Sequence, residues 1–161
     1  MIALGCLDIR QAARAFDRRI YLLVGASPAL AAPLEVTGAA GLVARAVIDF
    51  VAGWGMFGLL AALFVVIALF TNVLSNHATA ALFTPIALAA AAQTGADPGI
   101  FLLTVIYAAN CSFATPIAYR TNLLVMGPGR YRFADFARAG TPLILIVWLV
   151  YCLSLSWYFG L

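Results

Sequence analysis

The segment FTNVLSNHATAALFTPI, Phe70 to Ile86, lies in one of the most apolar regions of the chain, yet Thr71, Asn72, Ser75, Asn76, His77 and Thr79 crowd into nine of its positions. Ser75 and Asn76 are residue types that cap helix N-termini, here those of a helix beginning near Ala78. Together with the backbone N–H groups that such a helix start leaves without acceptors, their side chains can receive a carboxylate or sulfate oxygen. A second polar interruption, CSFATPIAYRTN, runs from Cys111 to Asn122. Within it, Pro116 leaves a carbonyl one turn earlier unpaired, which frees an oxygen for a cation. Anion reception at a helix start, with a cation held by unwound carbonyls, is how membrane carriers build sites from interrupted helices.

Two single residues sharpen this reading. Arg120 at a helix centre would cost about 2.5–3.5 kcal/mol to insert in a bilayer, so it should face a cavity or a partner. Bidentate pairing to carboxylate, sulfate or phosphate would suit it there. The alternative is that YRTN lies close to the cytoplasmic face and Arg120 snorkels to it. His77 stands as a substrate contact, as a source of pH sensitivity, or as a structural histidine. A Ser75–His77 dyad lacks a third, orienting acid nearby in sequence, and no enzyme is expected.

The elements that must position these groups are membrane helices. The chain has 161 residues, 65% hydrophobic and 9% charged, with a mean hydropathy of +1.05, where a soluble domain carries about 25% charge. Apolar runs recur from Ile20 to Tyr158, which defines an all-α polytopic membrane protein. All nine basic residues are Arg, they fall between apolar runs, and the net charge is only +3; nucleic acid is not an expected partner. Cys6, Cys111 and Cys152 are widely spaced in apolar segments and read as small buried hydrophobes, not as a disulfide or metal framework. The opening MIALGCL, residues 1–7, reads as the end of a truncated helix; it is too short for a signal h-region and has no basic n-region.

From there, DIRQAARAFDRR (8–19) leads into a span at 20–34, interrupted by Pro28 and Pro33. A mixed segment with Glu35, Arg45 and Asp49 suits a short interfacial helix. Residues 51–92 form a hairpin whose tip is 75–77, residues 99–127 a broken helix, 127–140 a charged loop and 142–159 a last span, with Trp157 and Tyr158 at its end. In GWGMFG, Gly55 and Gly58 suit a close-packing helix face. Loop Arg counts are four (8–19) and three (128–140) against one (35–50) and none (93–99), so 8–19 and 128–140 should be cytoplasmic and the C-terminus outside. The second hairpin arm, Ala78 to Ala92, would rise roughly 22 Å, short of a hydrocarbon core of about 30 Å. A re-entrant hairpin with SNH at depth follows; a plain two-span hairpin is the alternative, since Val51 to Leu74 is long enough to cross.

The ordered motifs SN-x-A-T-A-x-L-x-x-P-I, A-N-C-S-F-A-T-P-I-A-Y-R-T-N and GPG-x-Y-R-F-x-D-F-x-R-x-G-x-P-L resemble the divalent-anion/sodium symporter family, the dicarboxylate, citrate and sulfate carriers and their bacterial anion-permease relatives. DIRQAARAFDRRIYLLVGA and LEVTGAAGLVA also resemble the family's segments before this hairpin, so the likeness covers nearly the whole chain. It corresponds to the second of the family's two inverted repeats.

This resemblance implies half of an inverted-repeat, elevator-type carrier with its substrate between hairpin tips and broken helices. The implied substrate contacts are Ser75, Asn76, His77, Thr115, Pro116, Arg120, Thr121 and Asn122. Ser75 and Asn76 match the family's usual Ser-Asn-Thr tip, with His77 in place of Thr. In the broken helix, usually Thr-Pro-Pro-Asn, Asn122 matches and Tyr119, Arg120 and Thr121 depart. The resemblance places sodium at Thr71, the Leu74 carbonyl, Asn76 and the Ala118 carbonyl. It implies secondary transport of a small anion across the plasma membrane, coupled to Na+ or H+ and needing no cofactor. The expected partners are membrane lipid, the missing N-terminal repeat or a chain carrying it, and a second copy in a homodimer. The rival readings are an arsenite or Na+/H+ carrier of the wider ion-transporter group, and a non-transporting truncated module.

Overall fold

A computed structural model describes Pro33, residues 36–50 and residues 54–159. The helix end expected at 1–7, and the span at 20–34 apart from Pro33, lie outside the described residues. Among the described residues there are six helices and no strand: α1 (Ala39–Phe50), α2 (Gly55–Thr71), α3 (Asn76–Thr94), α4 (Pro98–Ala109), α5 (Arg120–Met126) and α6 (Phe133–Phe159).

Local chemistry sets the helix ends. The α3 start is capped by Ser75, whose Oγ accepts from the Ala78 N–H at 3.3 Å. Its end is closed by Gly95 at φ +67°, with the Gly95 and Ala96 N–H groups both returning to the Ala91 carbonyl. Two residues later, Asp97 caps α4 by accepting from the Gly99 N–H at 2.9 Å, and Pro98 takes the first helical position. At the head of α6, Asp135 Oδ2 accepts from the Arg132 N–H at 2.7 Å, the return half of a capping box.

The core forms where α2 packs on α4 and α6, and where α3 packs on α4 and α1. Leu60, Leu63, Phe64 and Ile67 bury one stripe of α2. Small residues (Ala87, Ala90 and Ala91 of α3, Ala108 and Ala109 of α4) bring those backbones close, as membrane helices do when dispersion drives their packing. Trp148 of α6 donates its Nε1–H to the Ala61 carbonyl at 3.1 Å, and the Tyr151 ring stacks on Phe64 at 4.8 Å. Thr104 donates to the Ile100 carbonyl, so the Tyr151 hydroxyl donates to Thr104 Oγ1. The outer side of α6 exposes Leu145, Ile146, Leu149, Val150 and Leu153. Phe133–Trp157, 25 residues of mean hydropathy 1.9, is the one described helix long and apolar enough by itself to cross a bilayer.

Two sequence expectations shift. The charged loop at 127–140 shrinks to residues 127–132, because Asp135 caps a helix that runs on through Pro142. The second hairpin arm is Asn76–Thr94, 19 residues or about 28 Å, so arm length alone no longer argues for a re-entrant hairpin. To the helix-face reading of Gly58 the structure adds a local reason: a Cβ there would lie 2.2 Å from the Trp54 Cβ, so the glycine makes room for the side chain that precedes its own helix.

Candidate functional site

The tip of the α2–α3 hairpin and the break between α4 and α5 meet. Asn72, the C-cap of α2, is the hinge of that meeting, and its side chain is fully engaged. Its Nδ2 donates to the carbonyls of Ala68 at 2.7 Å and Cys111 at 2.9 Å, and its Oδ1 accepts from the Ala114 N–H at 2.8 Å. Its backbone carbonyl accepts from Thr115 Oγ1 at 2.6 Å. One residue earlier, the fully buried Thr71 donates to the Ala109 carbonyl at 2.7 Å, where α4 runs out of intrahelical donors. Across the break, Asn122 Nδ2 donates to the carbonyls of Ser112 at 3.0 Å and Thr115 at 3.1 Å. The unwound backbone that a broken helix would leave unpaired is thus held by two asparagines and two threonines.

A cleft of about 350 Å³ opens beside this junction, lined by Asn76 from α3, Asn110, Ser112 and Phe113 from the break, and Tyr119, Thr121 and Asn122 at the start of α5. Of the expected substrate residues, the structure brings Asn76, Thr121 and Asn122 to one cleft. Ser75 caps α3 beside it, exposed, and His77 is exposed in the first turn of that helix. Thr115 turns its hydroxyl to the Asn72 carbonyl, Pro116 is buried, and Arg120 is exposed as the first residue of α5. Of the expected sodium ligands, Thr71 Oγ1 and Asn76 Oδ1 lie 3.1 Å apart, and Ala118 is buried. No cluster of three or more His, Cys, Asp or Glu occurs among the described residues.

Two residues of this junction had no role in the sequence reading. Asn72 was one polar residue among several; its signal is position, since an amide closing an apolar helix against another chain segment must satisfy all its groups internally. Gly140 of α6 is the other. A Cβ there would lie 2.2 Å from the Phe113 carbonyl oxygen and 2.6 Å from the Ala114 Cα. Only a glycine lets α6 rest directly on the backbone of the break.

A tip and a break bound together among apolar helices, one of them long enough to span a bilayer, mark the chain as part of a helical membrane protein built around interrupted helices. Residues 1–160 match the Citrate transporter (CitMHS) family, and the chain belongs to it, within the divalent-anion/sodium symporter group. It is 40% identical over 146 residues to the uncharacterized transporter YfbS of Escherichia coli K12, covering 90% of this chain and 24% of that protein. It is 33% identical over 151 residues to sodium/sulfate cotransporter 1 of Chlamydomonas reinhardtii, covering 93% of this chain and 17% of that protein. Identity is 29% over 160 residues to sodium-dependent high-affinity dicarboxylate transporter 3 of Caenorhabditis elegans, covering 95% and 28%. The chain thus spans 17–28% of the length of these curated relatives. All three are named as transporters, and this is a family of membrane transport proteins, not of enzymes.

Proposed function

We propose that this chain forms one half of the transport domain of a plasma-membrane carrier for a dicarboxylate, citrate or sulfate type anion, coupled to Na+ or H+. The observation that carries the reading is the shared cleft, to which the hairpin tip contributes Asn76 and the break and α5 contribute Thr121 and Asn122. The tip side of the cleft carries donors without intrahelical acceptors. Asn76 Nδ2 has no partner among the described residues, and the Asn76 and His77 N–H groups belong to the first turn of α3, which has no intrahelical acceptor for them. The partial positive charge of the α3 N-terminus adds to them. With Thr121 Oγ1, these groups would orient a carboxylate or sulfate oxygen. Asn122 has both amide hydrogens engaged and would contribute its Oδ1 and the shape of the break. Arg120, next in sequence to the lining residue Thr121, would add positive charge, and His77, next to Asn76, a further polar group.

A cation has a matching place. Thr71 has one proton, and the shorter contact assigns it to the Ala109 carbonyl. A lone pair of its oxygen then faces Asn76 Oδ1 at 3.1 Å. A cation between the two oxygens, completed by the Leu74 and Ala118 carbonyls, relieves that opposition; so does the Asn76 amide turned to present its nitrogen.

The re-entrant placement of the tip belongs to the same proposal. The 12 residues of α4 rise about 18 Å, so a helix entering at Pro98 reaches the break inside a core of about 30 Å. The tip is hydrogen-bonded at that level. An inverted second repeat, from the same or a partner chain, would supply the other half of the site, and the complete carrier would work as a homodimer. The Arg counts support a cytoplasmic side for 8–19 and 128–140 and an outside C-terminus. The test is uptake of radiolabelled succinate, citrate and sulfate into proteoliposomes of the carrier as the cell makes it. Uptake that needs Na+ or a pH gradient and falls at least tenfold in Asn76→Ala supports the proposal. Equal uptake in wild type and variant removes the site.

A further inference from the structure

We infer that Asn72 and Thr115 act together as the positioning pair of the cleft, setting the tip side and the break side in register, so that anion affinity depends on residues that do not touch the anion. The inference rests on the anion-site reading above. Asn72 lies beyond the cleft lining, and of the four hydrogen bonds made by its side chain and carbonyl three cross from tip to break: Nδ2 to the Cys111 carbonyl, Oδ1 from the Ala114 N–H, and its own carbonyl from Thr115 Oγ1. The fourth, to the Ala68 carbonyl, ties it to its own helix. Its neighbour in sequence, Thr71, reaches Asn76 on the tip side of the cleft. Its partner Thr115 accepts, through its carbonyl, an N–H of Asn122 on the opposite side. The path from one wall to the other therefore runs Asn76, Thr71, Asn72, Thr115, Asn122; each step is one hydrogen bond or one peptide link, except the 3.1 Å oxygen–oxygen contact of Thr71 with Asn76, which a cation or a turn of the Asn76 amide would bridge. A bound anion bridging both walls needs their separation fixed beforehand, and this junction fixes it.

The side-chain chemistry distinguishes positioning from plain support. In Thr115→Val the shape is kept and the hydroxyl bond to the Asn72 carbonyl is lost; in Thr115→Ser the bond is kept. In Asn72→Asp, a protonated carboxyl can still donate to one carbonyl and accept from the Ala114 N–H, whereas the ionised form turns a negative oxygen on the Ala68 and Cys111 carbonyls. Anion affinity of Asn72→Asp should therefore approach that of wild type at acid pH and fall as pH rises.

The experiment measures the dissociation constants of citrate, succinate and sulfate for the purified, folded carrier by titration calorimetry, with thermal midpoints recorded separately. Each variant is expressed as a ratio to wild type at the same pH, which cancels ionisation of the anion. Thr115→Val should bind the anion roughly 3- to 10-fold more weakly, with Thr115→Ser restored to within about twofold, and Asn72→Asp should show the pH-dependent ratio. A Thr115→Val protein whose midpoint falls while its affinity stays at the wild-type value overturns the positioning role and leaves the anion site standing. A wild-type carrier that binds none of the three anions overturns both.

Discussion

Gly140→Ala tests the packing of the site with a change of sign. In an unencumbered helix interior, replacing glycine by alanine stabilises by about 1 kcal/mol. Gly140 lies inside α6, so that gain is available. Against it stands the break: the new Cβ would sit 2.2 Å from the Phe113 carbonyl oxygen, 2.3 Å from its carbon and 2.6 Å from the Ala114 Cα. These are backbone atoms pinned by Asn72 and by the continuing chain, so α6 or the break must move by roughly 1 Å to restore ordinary contact. Overpacking of this kind costs about 1–3 kcal/mol, and occasionally more. Three contacts this short put the cost at the upper end, and the net expectation is a loss of about 2 kcal/mol. Gly41→Ala is the control. It sits in α1 with only Gln93 Nε2 near its new Cβ, at 3.8 Å, and should gain stability. Thermal unfolding of the purified carrier in detergent reads both. Stabilisation of Gly140→Ala by about 1 kcal/mol, matching Gly41→Ala, would refute the contact between α6 and the break.

Asp135→Ala removes the acceptor of the Arg132 N–H and should cost about 0.5–2 kcal/mol, with hydrogen exchange rising first at residues 132–136. Trp148→Phe removes the donor to the Ala61 carbonyl, which holds α6 on α2; a loss of about 1 kcal/mol or more is expected in the same unfolding assay, and no loss would show that this bond carries no net stability.

Much of the helical layout was legible because apolar runs and stop signals coincide. QTGADPG announces the α3–α4 turn, and the structure uses Gly95 for the left-handed cap and Asp97-Pro98 for the next start. The polar tip and the polar break stood out for the same reason, as hydrogen-bonding groups in apolar surroundings. What did not show was which polar groups face the cleft and which face each other. Thr115 and Asn122 sit seven residues apart in the break, and only the fold reveals that both amide hydrogens of Asn122 turn inward to carbonyls while Thr115 reaches back to Asn72. Sequence spacing carries no such information about non-local pairing. The start of α6 was hidden differently. Arg130, Arg132, Asp135 and Arg138 read as a charged loop, yet Asp135 follows Arg132 at the capping-box spacing and the helix begins between them. Gly140 gave no local signal, because its reason is a backbone twenty-six residues away in sequence, at Ala114.

The most direct test of the central claim, that tip and break together form an anion site, is ligand-dependent thermal stability of the wild-type carrier and of Asn76→Ala. The purified proteins would be heated with Na+ and with citrate, succinate or sulfate in turn, against chloride at equal ionic strength. A ligand that binds only the folded state stabilises it, by about 2.7 kcal/mol at a hundred times its dissociation constant. The account predicts that one of these anions raises the wild-type midpoint in the presence of Na+ or at lowered pH, and that Asn76→Ala loses the shift. A wild-type midpoint indifferent to all three anions, or a shift undiminished in Asn76→Ala, would contradict it.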